Sequence, residues 1–157
     1  MAQPAGHRWR RVLPWLFTLY AAATLLHFAH NAEYLVQYPH LPASWSRGEV
    51  YAAWCCVMAL GLLGYRLYAH GRRGAGLTIL GLYAALGFGG LLHYTRAPLH
   101  EHSVMMNVTI WAEAAMGTLL LANLVLLAGP SRNGGPAAPS TRTRPTLDSP
   151  GHTAPPS

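Results

Sequence analysis

Four stretches of this sequence are each long and apolar enough to cross a lipid bilayer, and no other feature narrows the possible folds as far. Crossing a hydrocarbon core of about 30 Å takes roughly 20 mostly apolar residues in a helix. Residues 12–33, 50–69, 75–94 and 104–128 meet that requirement. In lipid each segment must satisfy its own backbone N–H and C=O groups, so these stretches predict helices. With 52% hydrophobic and only 10% charged residues, the chain is too apolar for an ordinary soluble domain, where charged residues run to about 25%. The expectation is an all-α integral membrane protein, a four-transmembrane-helix bundle over residues 12–129. Residues 1–11 precede it as a cytoplasmic N-terminal segment, and 130–157 follow as a disordered cytoplasmic tail rich in Pro, Gly, Ser and Thr.

The basic residues orient the bundle. All eleven are Arg, and all except Arg47 and Arg96 fall at one end of the spans or beyond it. By the positive-inside rule that end is cytoplasmic, which puts both termini inside and the connections 34–49 and 95–103 outside. Aromatic residues mark the same interfaces, Trp9 and Trp15 within and Tyr34, Tyr38, Trp45, Tyr51 and Trp54 without. The net charge of +6 lies in short clusters beside apolar runs, which fits a membrane protein and excludes a nucleic-acid surface. The first apolar run continues past Ala21-Ala22-Ala23 to Ala29, longer than a signal-peptide core of about 7–15 residues, and reads as a retained span. The absence of Lys with abundant Ala, Gly and Pro points to a bacterial source, hence the bacterial inner membrane. In the third span Gly81, Ala85 and Gly89 recur every four residues, a small-residue stripe expected to pack against a neighbouring helix. His93, one turn further, is expected to point into the bundle.

Orientation sorts the nine histidines. His27, His30, His40, His93, His100 and His102 fall at the outer end, and only His7, His70 and His152 fall inside. His27, His30 and Asn31 share one face of the first helix, the spacing that presents two imidazoles to one ion or cofactor. Glu33 follows His30 by three residues and is expected to hydrogen-bond its ring or to act as a ligand itself. His93 approaches from the third helix, and His100, Glu101 and His102 from the loop before the fourth. On the fourth helix His102, Met106, Thr109, Glu113 and Met116 form a polar stripe. Glu113 lies about ten residues, roughly 15 Å, below the outer end of its span, near the bilayer midplane. An ionisable group there costs about 2.5–3.5 kcal/mol on insertion scales, so it is expected to face the bundle interior and to have a partner or carry a proton.

Two functional readings follow. In the first, the bundle binds a transition metal or b-type haem through His27, His30, His93 and His102, with Asn31, Glu33, His100 and Glu113 orienting ligands or handling protons. In the second, the chain is a non-catalytic accessory subunit or small transporter element, using the histidines and Glu113 for interhelical hydrogen bonds or proton transfer. Its partners are the lipid bilayer and either a second copy or a larger membrane complex. Cys55, Cys56, Met105, Met106 and Met116 would suit a soft ion, but read first as ordinary apolar packing. No protease, P-loop, dinucleotide-binding, nucleophile-elbow or c-type haem motif occurs.

The run His27-Phe28-Ala29-His30-Asn31-Ala32-Glu33, with His93-Tyr94, Pro98, His102, Met106-Asn107-Val108-Thr109-Ile110-Trp111 and Glu113, resembles small bacterial four-helix membrane proteins. The HxxE of His30 and Glu33 is similar to the start of the motif of integral membrane proteins named for HXXEE, with Tyr34 where the second Glu would stand. Neither resemblance implies an activity.

Overall fold

The computed structural model describes residues 5–38, 40 and 44–129, all helical or connecting. The expected disordered tail, 130–157, lies outside them. Helix α1 spans Ala5–Glu33, α2 Arg47–Ala69, α3 Arg73–Leu86 and α4 Val104–Ala128, with 3₁₀ turns at Leu35–Gln37, Gly89–Thr95 and Leu99–Glu101. Four segments, Arg8–Glu33, Arg47–Ala69, Arg73–Thr95 and Val104–Ala128, are long and apolar enough to cross a membrane. The protein is an all-helical membrane-spanning bundle.

Local chemistry fixes the helix ends. Ser46 caps α2 by accepting the Glu49 N–H at 3.3 Å while its own N–H donates to Glu49 Oε2 at 2.7 Å, a reciprocal capping box. Ser103 caps α4 through the Met106 N–H at 3.2 Å. The α2–α3 turn passes through Gly71 at φ +83°, a left-handed conformation that only glycine adopts without cost. Pro14 interrupts the hydrogen-bond ladder of α1. One turn earlier, the Trp9 carbonyl accepts Asn123 Nδ2 from α4 at 3.3 Å, an interhelical bond that ties α1 to α4.

Helix α1 packs chiefly on α4, and α2 on α3. The apolar core, Leu13, Tyr20, Leu80, Tyr83, Ala84, Leu120, Leu124 and Leu127, fills the middle and the Arg-rich end. Small residues bring α2 and α3 together there. A Cβ on Gly76 would stand 2.5 Å from the Tyr68 backbone, and one on Gly61 would meet the Tyr83 ring at 2.8 Å. The expected stripe is not the one used: a Cβ on Gly81 or Gly89 would meet nothing within 4 Å, and Ala85 is exposed. The packing face of α3 is instead the one carrying Gly76, Leu80, Tyr83 and Ala84, because large and small residues interlock there and a row of small ones alone leaves nothing to bury.

The third span is not α-helical throughout. At Gly87 and Phe88 the N–H groups reach back three residues, to Ala84 O at 3.2 Å and Ala85 O at 3.1 Å, and the chain continues as a 3₁₀ turn to Thr95. Three glycines in Gly87-Phe88-Gly89-Gly90 weaken the α conformation by about 1 kcal/mol each relative to alanine. The tightening frees the Tyr83 carbonyl, and the Tyr20 hydroxyl donates to it at 2.9 Å. Non-helical backbone at membrane depth is tolerated where protein surrounds and satisfies it.

Candidate functional site

The unwound segment meets α1 and α4 at the His-rich end. His27 and Glu113 are 3% and 2% exposed, with Nε2 and Oε2 3.7 Å apart. Gly90 makes this juxtaposition possible. A Cβ there would stand 3.2 Å from His27 Nε2 and 3.3 Å from Glu113 Oε2, so any other residue would press into the pair.

The partners of His27 define its tautomer. Asn31 Nδ2, one turn along α1, donates to Nε2 at 3.1 Å, so Nε2 accepts and the proton sits on Nδ1. Nδ1 faces Thr109 Oγ1 at 3.5 Å, and that hydroxyl donates to the Met106 carbonyl at 3.0 Å. The other amide atom of Asn31, Oδ1, is buried without a hydrogen-bond partner among the described residues. If the amide turned over, Oδ1 would accept from a protonated Nε2. The site therefore holds acceptors for either protonation state of the ring.

His93 is the hub of the aromatic cluster. Its ring centre lies 5.7 Å from that of His27, 4.9 Å from Tyr38 and 6.2 Å from His102. Tyr38, from the connection after α1, is buried and hydrogen-bonds His30 Nδ1 at 2.8 Å. Burial raises its phenol above the ordinary range. His102 donates from Nδ1 to the Pro98 carbonyl at 3.1 Å, leaving Nε2 unprotonated when the ring is neutral. Asn107 ties the 3₁₀ turns to α4, accepting from Tyr94 at 2.8 Å and donating to Leu99 O at 3.1 Å.

Above the His27–Glu113 pair opens a cavity of about 310 Å³. Phe28, Leu35, Trp45, Val50, Leu86 and Leu92 form its walls, with His27, Asn31, His93 and Glu113 as polar lining and Arg96 also on its surface. Leu86 and Leu92 are 45% and 63% exposed, so this wall also borders the lipid-facing surface. Among the described residues Glu113 has no hydrogen-bond partner; its carboxyl has only the 3.7 Å approach of His27 and the cavity.

The structure gathers His27, Asn31, His93, His102 and Glu113, with His30 attached through Tyr38. It leaves two expected residues outside. Glu33 turns away from His30 to Arg47, 2.6 Å from its Nη2, and to the Tyr51 hydroxyl at 2.8 Å. At the exposed end of α1 a cation on the neighbouring helix is the stronger partner for a carboxylate than a neutral ring. His100 is exposed on its 3₁₀ turn. Cys55 and Cys56 are free and exposed. Among the described residues no three His, Cys, Asp or Glu side chains are grouped to hold a metal ion. Sequence reading missed Tyr38, Gly90 and the wall residues; only the glycine run at 87–90 signalled that the third helix would open there.

Fold and site together define a membrane-spanning four-helix bundle with a polar pocket at one end. No protein-family model, curated protein or solved structure matches the chain.

Proposed function

We propose that the chain is a small transporter element or accessory subunit that handles protons at the His27–Glu113 pair. The observation that carries this reading is Glu113 itself, an ionisable side chain deep in its span, almost wholly buried, approached among the described residues only by His27 at 3.7 Å, and open to a cavity. An intramembrane carboxyl in such a position marks a substrate or proton pathway. His93, His27 and Glu113 follow one another from the His-rich end inwards, and the Asn31 amide, donating from Nδ2 to the neutral ring or, turned over, accepting at Oδ1 from the protonated one, lets His27 gain and lose a proton. The Arg-rich end faces the cytoplasm and the cavity faces outwards on the strength of the Arg placement, and the composition, without Lys and rich in Ala, Gly and Pro, supports the inner membrane of a bacterium. Four spans are few for a stand-alone transporter, so the protein works as a homo-oligomer or within a larger membrane complex.

The metal or haem reading has less support. His27, His93 and His102 would supply imidazoles, but a structural or catalytic metal takes three or four converging donors, and no such group stands among the described residues. Stoichiometric metal or a haem spectrum in detergent-purified protein would reinstate it. The proton reading is tested by infrared difference spectra of the lipid-reconstituted protein between two external pH values. A carboxyl band that responds to pH in the wild type and vanishes in Glu113→Gln is expected; a pH-insensitive carboxyl would end the proposal.

A further inference from the structure

The cavity also has a chemistry of its own, and we infer that it takes a lipid-soluble organic cation, an amine or quaternary ammonium on an apolar body, whose charge sits against Glu113. This rests on the proton-handling reading, because the cation and the proton compete for the same carboxyl. Three observations select the class. The deepest free group is a carboxyl, since among the described residues Glu113 has no hydrogen-bond donor and His27 Nε2 is already occupied by Asn31; an anion would gain no charge pairing from the acid and would repel the carboxylate, and a neutral apolar molecule would leave the group without a partner. The walls include Phe28 and Trp45, and aromatic faces attract quaternary ammonium groups. The volume, about 310 Å³, lies at the small end of the roughly 300–1,000 Å³ typical of small-molecule sites.

The route follows from charge and exposure. Arg96 lies on the cavity surface and donates to the His40 carbonyl at 3.2 Å, so a cation arriving through the connecting loops meets a fixed positive charge. Leu86 and Leu92, both exposed, offer an apolar way in from the bilayer. The titratable groups facing Glu113 are His27 and Tyr20 from α1 and Tyr83 and His93 from the third span, with Arg96 beyond them; α2 presents only Val50 to the cavity. None of these supplies a permanent cation in contact with the carboxyl. An arriving cation therefore displaces the carboxyl proton to solvent, and its departure lets the proton return. No bond other than O–H is broken or made.

The test uses the full chain in lipid nanodiscs with benzyltrimethylammonium as the probe and its uncharged carbon isostere, neopentylbenzene, as the control. The expected result is saturable binding of the cation in preference to the isostere, with affinity falling as pH is lowered. About one proton should be released per cation bound, read with a dye in weak buffer. Glu113→Gln should weaken cation binding roughly thirtyfold or more and abolish proton release. Leu92→Trp, which fills the lipid-side wall and leaves the carboxyl intact, should also weaken binding while the infrared carboxyl band still responds to pH. Equal binding of cation and isostere, or cation binding without proton release, would overturn the inference. A Glu113 band that titrates in protein that binds no cation sinks this inference and leaves the proton reading standing; a band that does not titrate sinks both.

Discussion

The Arg-rich half of the bundle and the His-rich half use the same four spans in opposite ways. In the first, Leu13, Leu80, Leu120, Leu124 and Leu127 interlock around Tyr20 and Tyr83, and glycines on α2 and α3 let the backbones approach until a single methyl would collide. In the second, α3 gives way to a 3₁₀ turn, buried positions go to His27, His102, Thr109 and Glu113, and a cavity takes the place of packed side chains. One half is packed for stability, and the other keeps a buried carboxyl beside a cavity. This division is characteristic of functional sites, where local rules are broken and the rest of the fold compensates.

Substitutions that shrink or crowd each half separate the two most sharply. Leu80→Ala should cost about 2–4 kcal/mol of stability through lost packing, and Gly76→Leu should disrupt the α2–α3 pair altogether, both read as thermal unfolding in detergent. Glu113→Leu should do the reverse and leave the melting temperature unchanged or higher, because it removes a buried ionisable group that has no hydrogen bond among the described residues. A melting temperature that falls as far for Glu113→Leu as for Leu80→Ala would erase the distinction between the halves.

Tyr20→Phe probes the boundary between them. It deprives the Tyr83 carbonyl of the donor that replaces its lost helical partner and should cost about 1–3 kcal/mol, with slowed hydrogen exchange of neighbouring amides lost at the start of the 3₁₀ turn. Tyr38 tests the His-rich end by pH. Burial raises its phenol, so the neutral form is favoured in the folded state. The stability it contributes is present below about pH 10, the ordinary tyrosine value, and lost as pH rises towards the folded value. Unfolding followed from pH 8 to 11 should therefore fall less steeply in Tyr38→Phe than in the wild type. The smallest effect is expected at the water-facing pair. Arg47→Ala breaks an ion pair with Glu33 whose side chains are 67% and 40% exposed, and the stability change should stay within about 1 kcal/mol.

The spans were legible because the bilayer imposes a length and a polarity that composition reveals directly. The face of α4 was legible in part: Met106, Thr109 and Glu113 are buried where a 100° turn per residue puts them, Met116 on the same stripe is only half-buried, and His102 lies before the helix on extended backbone. Glu33 was misread because periodicity gives the face of one helix but not the competing partner on the next, here Arg47. The Gly81, Ala85 and Gly89 stripe failed for a related reason, since small residues permit close approach without requiring it. Tyr38 and Gly90 enter the site through irregular backbone, which has no period to read. His93 points into the cluster as expected, but a 3₁₀ turn carries it there where an unbroken helix was anticipated.

The central claim, that Glu113 is buried yet exchanges its proton through a cavity open to lipid, is tested most directly by labelling with carbodiimides followed by peptide mass analysis. A lipid-soluble carbodiimide is predicted to modify Glu113, at a rate slowed by benzyltrimethylammonium, while a water-soluble one modifies Glu33, Glu49 and Glu101 and spares it. Labelling of Glu113 by neither reagent, or equally by both, would contradict the account.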